Sequence, residues 1–331
     1  MTRYSLSNTD LSISRIILGC WAFAGGLNWG EQDKAASIRT IHAACDAGIH
    51  TLDTAIAYGN GASQQVVGEA IKGRRSDYII LDKIPQDKAS YADSLVTVER
   101  CLSNLGTDYI DLLQLHWANP EVPIDETLRA AEKLKADGKI RHFGVCNFGA
   151  KQLTAVPADA PIASNQVSYS LLFRAVEFEI LPQCRARGID MLAYSPLLQG
   201  LLTGKFASAD EVPEGRARTR HFSTDRPQAR HGEPGCEAET FVAVAAVVKI
   251  AEKAGLAPAD VALAWVLAQD EFAGAICGAR SVEQVETNVR AADTKLAADV
   301  MEALDSATDD LKQALGPNAD MWQGRTKSRT E

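Results

Sequence analysis

The sequence of 331 residues has no excess of positive charge, since 34 lysines and arginines stand against 43 aspartates and glutamates, a net charge of −9. DNA and RNA are bound mainly through basic surfaces, so nucleic acid is not an expected partner. Long hydrophobic runs are also missing: Phe241–Val248, with eight residues, is far shorter than the roughly 20 that a membrane helix needs. The N-terminus has no apolar leader segment. We therefore expect a cytoplasmic protein without a membrane partner.

Paired cysteines and clustered histidines are absent as well. The seven cysteines are odd in number, scattered and free of any Cys-x-x-Cys pair. This indicates a reducing compartment and argues against a structural zinc site. The six histidines form no pair at metal-ligand spacing. We expect no metal.

What the chain does contain is a repeat of short apolar strands and amphipathic helices. No Gly-x-Gly-x-x-Gly fingerprint follows a strand, which argues against a doubly wound dinucleotide-binding sheet. Eight alternations favour instead an α/β fold, a parallel (β/α)₈ TIM barrel in one domain of residues 1–331. The predicted strands are Ile16–Trp21, His50–Thr54, Tyr78–Ile84, Ile110–Trp117, His142–Asn147, Ala163–Val167, Ile189–Tyr194 and Gly274–Cys277. The helices predicted between and after them are Asp33–Ala47, Ser63–Ile71, Ala92–Leu105, Ile124–Ala136, Lys151–Ala155, Val176–Arg187 and Ser281–Ala291.

Two segments depart from the repeat. The first fifteen residues predict a β-hairpin ahead of the first barrel strand. Between strands seven and eight we expect a long loop, Lys205–Glu237, and two helices, Thr240–Ala254 and Pro258–Gln269. A loop of this length is unusual inside a compact domain unless it is functional or disordered. Its five arginines could clamp an anion or could only solvate a mobile flap, and the sequence leaves both alternatives open: Arg216, Arg218, Arg220, Arg226 and Arg230.

Four chemically active side chains fall at the carboxyl ends of three neighbouring strands. Asp53 ends the second strand and Tyr58 follows it, while Lys83 and His116 end the third and fourth. Active sites of such barrels lie at this end. Each residue alone could be structural, but together they fit carbonyl reduction, in which the oxygen must receive a proton. An ammonium held by a carboxylate would lower the phenol's pKa, and a neutral imidazole would polarise the substrate oxygen.

An ordered set of motifs over nearly the whole chain resembles the aldo-keto reductase family, in particular its bacterial and potassium-channel-associated branch. The motifs are "ILGCWAF", "GIHTLDTAIAYGNG", "DKI", "LLQLHW", "RHFGVCNF", "SNQVSYS", "LAYSPLLQGLLTGK" and "ICGARSVEQVETN". The resemblance implies the same barrel, a catalytic tetrad of Asp53, Tyr58, Lys83 and His116, and a nicotinamide cofactor.

The resemblance also assigns cofactor contacts. Asn147 and Gln166 would hold the carboxamide, and Tyr194 would stack on the nicotinamide ring. The pyrophosphate would run along Ser195, Pro196, Leu197 and the segment from Gly200 to Lys205. The adenosine end would meet Gly278, Ala279, Arg280, Gln284 and Asn288. A guanidinium at Arg280 suits the 2′-phosphate of NADP, so NADP(H) is expected, with NAD(H) as the alternative.

The substrate pocket is less legible. Trp21 and Trp117 match pocket-lining positions of the family, although plain packing is the competing interpretation. Two residues depart from the family pattern: Cys146 stands where serine is usual, and Asp82 stands where a small hydroxyl residue is common. Strand alternation predicts that Asp82 points away from Lys83 toward the helices, without a catalytic role.

The predicted function is NADP-dependent reduction of an aldehyde or ketone, with a sugar aldehyde as one candidate substrate. Three alternatives stay open: a sugar dehydrogenase working in reverse, a cofactor-binding redox sensor with little turnover, and a Schiff-base aldolase using Lys83. The oligomeric state is not predicted.

Overall fold

The computed structural model describes residues 1–26 and 29–330. A two-stranded antiparallel hairpin, β1 (Arg3–Ser5) and β2 (Ser12–Ser14), precedes a closed barrel of eight parallel strands. The barrel strands are β3 (Ile16–Gly19), β4 (Thr51–Asp53), β5 (Ile79–Ile84), β6 (Ile110–Leu115), β7 (Ile140–Cys146), β8 (Ile162–Ser168), β9 (Asp190–Tyr194) and β10 (Phe272–Gly278). The first strand, β3, pairs with the last, β10, which closes the ring. The predicted (β/α)₈ fold with its N-terminal hairpin is confirmed.

Helices surround the barrel where the sequence predicts them. Their bounds are α1 (Lys34–Asp46), α2 (Ala62–Ile71), α3 (Tyr91–Leu105), α4 (Ile124–Ala136), α5 (Ala150–Ala155), α6 (Ile180–Ala186), α7 (Glu237–Lys253), α8 (Pro258–Leu267), α9 (Val282–Asp293) and α10 (Ala298–Leu315). Local chemistry fixes their ends: in α3 the Ser90 side chain accepts a hydrogen bond from the amide of Asp93, and Gly106 caps the other end at a φ of 60°. The helix predicted over 176–187 is shorter, because a 3₁₀ turn over Ala175–Glu177 precedes it.

Helix α10 was not predicted from the sequence. Its buried residues, Leu304, Thr308, Leu311 and Leu315, follow the spacing of four, three and four that marks one helix face. This face packs on α7. The periodic signal for the helix was therefore present in the sequence, and the eight-fold repeat alone did not call for it.

Alternation along the strands sorts side chains between the barrel interior and the helical layer. On β5, Leu81 faces inward and contacts the hairpin residues Leu6, Leu11 and Ile13, which close the amino-terminal end of the barrel. Ile80 and Ile84 of the same strand belong to the outer core between barrel and helices. Lys83 is therefore on the inward face with Leu81. This alternation decides which polar side chains reach the open, carboxyl-terminal end of the barrel.

No helix in the described ranges 1–26 and 29–330 is both long and apolar enough to cross a bilayer. The interpretation of residues 1–331 as one domain stays a prediction.

Candidate active site

Asp53 and Lys83 form an ion pair inside the carboxyl-terminal end of the barrel. The Lys83 ammonium donates to Asp53 Oδ1 over 2.6 Å and to the Thr54 carbonyl over 2.9 Å. The Lys83 side chain is fully buried and that of Asp53 nearly so. Burial alone would lower the pKa of Lys83, but the Asp53 carboxylate outweighs it and raises that pKa. Lys83 is therefore a fixed cation with no access to bulk water.

Tyr58 lies in the loop between β4 and α2, above this pair. The Lys83 ammonium donates to the Tyr58 hydroxyl over 3.4 Å. Burial raises the pKa of the Tyr58 phenol, although Lys83 acts in the opposite direction. The decrease in pKa expected from Lys83 is thus outweighed by burial in the cofactor-free protein. Tyr58 carries its proton at neutral pH and can donate it.

His116 follows β6, and its backbone amide donates to Ile84 O over 2.8 Å, which sets it beside the end of β5. Its ring stands edge-on to that of Tyr58, with the centroids 6.0 Å apart. Burial and the nearby cations Lys83 and Arg329 lower the pKa of His116 to about 3. The imidazole is therefore neutral, as the sequence analysis expected, and can donate a hydrogen bond without carrying charge.

The residues predicted to hold the nicotinamide adjoin this group. Gln166 donates to the second carboxylate oxygen of Asp53 over 2.8 Å, a contact that the sequence did not indicate. Asn147 accepts from the Tyr194 hydroxyl over 2.9 Å and donates to the His116 carbonyl over 3.1 Å. The three side chains thus connect the predicted nicotinamide site with the tetrad.

Strained backbone marks the predicted cofactor track. Six non-glycine residues of the described chain have positive φ, and four of them lie on this track: Asn147, Ser195, Leu198 and Gln199. Such conformations cost of order 1–3 kcal/mol each and cluster at binding and catalytic sites. Ser195, Pro196 and Leu197 follow β9 directly, so the backbone turns sharply at the barrel mouth. Farther along, Lys205 lies against Gly200.

The predicted adenosine residues cluster around the start of α9. The amide of Arg280 donates to the Gln284 side chain over 2.7 Å, and Gly278 and Ala279 end β10 just before it. The Arg280 guanidinium donates to Gln32 Oε1 and to the Glu31 carbonyl, both over 2.7 Å. Asn288 lies on the same helix with its Nδ2 buried and, among residues 1–26 and 29–330, without a hydrogen-bond acceptor.

Aromatic residues line the mouth of the barrel. Trp21 stacks on Tyr58 with centroids 5.6 Å apart, so the predicted pocket residue does touch the tetrad. Trp117 lies under the Arg329 guanidinium, 3.6 Å from the ring centroid. Arg329 belongs to the C-terminal tail, whose place the sequence left open. The tail folds back on the barrel, where the Gln152 side chain donates to the Arg329 carbonyl over 2.7 Å.

The long loop 205–237 is anchored by its own arginines. Arg220 is buried and binds Glu233 at 2.7 Å and the Asn318 carbonyl at 2.9 Å, which ties the loop to the tail. Arg226 binds Glu237 and Asp210. Neither the anion clamp nor the solvated flap describes these two residues, because both are paired with carboxylates within the protein.

The two departures from the family pattern lie where strand geometry places them. Asp82 is fully buried and points into the helical layer, accepting a hydrogen bond from Gln64 of α2 over 2.6 Å. Cys146 is buried close enough to Asp53 and Lys83 for both charges to influence the pKa of its thiol, which burial raises. Cys146 therefore faces the tetrad, while Asp82 does not.

A parallel barrel with an inward-facing Asp–Lys–Tyr–His group at its open end defines an oxidoreductase of carbonyl groups. Comparison with known proteins agrees, since the model of the aldo/keto reductase family matches residues 15–309. The chain belongs to this family. The predicted use of a nicotinamide cofactor, NADP(H) or NAD(H), is confirmed with it.

Three relatives illustrate the range of the likeness. An aldo-keto reductase of Bacillus subtilis, YhdN, is 37% identical over 85% of this chain and 86% of its own. An NADH-specific methylglyoxal reductase of Escherichia coli is 32% identical over 92% of this chain and 100% of its own. The crystal structure of an aldo-keto reductase from Klebsiella pneumoniae with NADPH is 28% identical, covering 92% of this chain and 95% of that one at a TM-score of 0.73. The roles of individual site residues stay predictions.

Proposed function

We propose that the protein reduces a small aldehyde or ketone to the alcohol with NADPH, and that Tyr58 is the proton donor. The observation that carries this proposal is the position of the Lys83 ammonium, which contacts both the buried carboxylate of Asp53 and the hydroxyl of Tyr58. A lysine used for Schiff-base chemistry would have to be neutral. The raised pKa of Lys83 argues against that alternative.

The four residues divide the work around the carbonyl oxygen. Nicotinamide, when bound, supplies the hydride to the carbonyl carbon. Tyr58 donates its proton to the oxygen, and the Lys83 ammonium stabilises the phenolate that forms. Asp53 keeps Lys83 charged and in place, while neutral His116 donates a hydrogen bond that orients the oxygen. The same groups serve the reverse oxidation, so the direction depends on the substrates present.

The predicted cofactor residues fit a dinucleotide. The buried amide of Asn288 lacks an acceptor among the described residues, and an adenine nitrogen would supply one. Arg280 is held by the neutral oxygens of Glu31 and Gln32, so its positive charge is available to a phosphate. A bidentate guanidinium–phosphate pair would favour NADPH over NADH. This is the basis for choosing NADPH although the E. coli relative is named as NADH-specific.

Substrate and setting are proposed only as classes. A small carbonyl compound, such as a sugar aldehyde, fits a mouth narrowed by Trp21, Trp117 and the tail. The E. coli relative is named a methylglyoxal reductase, which also points to small aldehydes. We propose a cytoplasmic setting and no nucleic-acid partner, because the net charge of −9 gives no basic surface.

The test is oxidation of NADPH and of NADH across a panel of small aldehydes and ketones, followed by nicotinamide absorbance. We expect turnover with NADPH and a lower kcat/KM with NADH. Arg280→Gln should raise the KM for NADPH and leave that for NADH unchanged. Tight NADPH binding without turnover of any carbonyl would contradict the reductase and favour the redox sensor; equal use of both cofactors would contradict the role of Arg280.

A further inference from the structure

One guanidinium at the barrel mouth is left without a carboxylate. Arg218, in the loop 205–237, lies 5.8 Å from the ring centroid of Trp21 and 4.7 Å from that of Trp322. It is half-buried, and its Nε is buried without a hydrogen-bond acceptor within residues 1–26 and 29–330. No ion pair in those ranges includes it, in contrast to Arg220 and Arg226 of the same loop.

The position of Arg218 relates it to the reacting centre. Trp21, over which it lies, is itself stacked on Tyr58 with centroids 5.6 Å apart. Trp322, on its other side, lies beside the Tyr194 hydroxyl. Arg218 is thus one aromatic ring away from the proposed proton donor and one from the predicted nicotinamide-stacking residue. A substrate whose carbonyl rests on Tyr58 would extend toward Arg218.

The other cations near the mouth are already committed. Arg329 stacks on Trp117, but Asp320 binds its guanidinium over 2.7 and 2.9 Å. Lys83 is bound by Asp53. Arg218 instead faces repulsion from Arg230, and this repulsion adds to burial in lowering the pKa of Arg218. A half-buried guanidinium without a counter-ion is costly unless an anion arrives from outside.

We propose that Arg218 is a specificity-determining residue that binds the anionic group, a carboxylate or a phosphate, of the carbonyl substrate. This inference rests on the proposed function and deepens it by naming a substrate class. Guanidinium forks bind both oxyanions in the same way, so the shared chemistry does not choose between them. Because the protein as a whole carries a charge of −9, attraction of an anion depends on a local cation of this kind.

The test compares matched pairs of substrates that differ in charge. Succinic semialdehyde is paired with butanal, and glyceraldehyde 3-phosphate with glyceraldehyde, each at saturating NADPH. The wild-type protein should prefer the anionic member of at least one pair, and the pair that shows the preference separates carboxylate from phosphate. Arg218→Met should reduce kcat/KM for that anionic substrate by about 10- to 100-fold, mainly through KM, and leave its neutral partner unchanged.

Two further variants control for charge and folding. Arg218→Lys keeps the cation and should restore most of the preference, while Arg39→Gln removes an exposed arginine of α1 and should change neither substrate. A wild-type protein that treats the members of both pairs alike would overturn the inference. Equal losses for charged and neutral substrates in Arg218→Met, or failure of Arg218→Lys to rescue, would overturn it as well.

A binding measurement separates this inference from the proposed function. Trp21 and Trp322 flank Arg218, so tryptophan fluorescence of the NADP⁺ complex should respond to saturating succinate or inorganic phosphate. The response should disappear in Arg218→Met. Turnover of neutral aldehydes without any anion response contradicts only the anion site. An anion response that needs Arg218, without turnover of any carbonyl, contradicts only the reductase.

Discussion

Two buried aspartates on adjacent strands have different environments. Asp53, inside the barrel, faces the Lys83 ammonium at 2.6 Å and has Gln166 on its other oxygen. Asp82, in the helical layer, is bonded only to neutral donors, the Gln64 amide and the backbone amide of Lys83. Lys83 follows Asp82 directly in the chain, yet its ammonium serves Asp53. Strand alternation therefore decides which carboxylate becomes part of the proton-donor system, since composition and depth are the same for both.

Removal of the shared lysine should have the largest effect on this contrast. Lys83→Met leaves Asp53 buried without its cation and Tyr58 without the charge that stabilises its phenolate. We expect kcat to fall by about 10²- to 10⁴-fold and the free energy of unfolding to fall by about 3–5 kcal/mol. Steady-state kinetics and denaturant unfolding measure the two effects.

Asp82→Asn is the matched control for the lysine variant, because it changes the neighbouring residue on the other face of β5. It should keep wild-type kcat. If both variants lose activity alike, the division between inward and outward carboxylates does not describe the catalysis.

The outward carboxylate should instead affect stability as a function of pH. Burial raises the pKa of Asp82 from its usual 3.8 to about 6. Between these values the folded protein holds a proton that the unfolded chain has lost, so this contribution is full below pH 3.8 and disappears as pH rises to about 6. Relative to the wild type, Asp82→Asn should therefore gain about 3 kcal/mol in unfolding free energy on going from pH 4 to pH 7. Urea unfolding of both proteins at each pH measures this; identical pH dependence would show that Asp82 does not titrate there.

The smallest expected effect concerns the thiol that faces the inward pair. Cys146→Ser introduces a better hydrogen-bond donor beside the predicted nicotinamide site. We expect NADPH to bind more tightly by about 0.5–1.5 kcal/mol, with kcat unchanged. Fluorescence titration with NADPH measures the affinity. Weaker binding would place the hydroxyl against a group that cannot accept from it.

The sequence predicted the barrel, the hairpin and the proximity of the tetrad because these depend on local periodicity and on the rule that parallel strands share one carboxyl end. The orientation of Asp82 followed from alternation in the same way. The second partner of Asp53 was not predictable, because Gln166 is 113 positions away and the motif suggested a cofactor contact only. The stacking of Arg218 and Arg329 on tryptophans depends on how the loop 205–237 and the tail fold over the mouth, and neither segment has a periodic pattern.

The central claim is that Tyr58 donates the proton from its place above the Asp53–Lys83 pair. Single-turnover oxidation of bound NADPH by a saturating aldehyde, in the wild type and in Tyr58→Phe, tests it most directly. The account predicts that Tyr58→Phe binds NADPH as the wild type does but transfers hydride about 10²- to 10⁴-fold more slowly. Hydride transfer at the wild-type rate in Tyr58→Phe would contradict it.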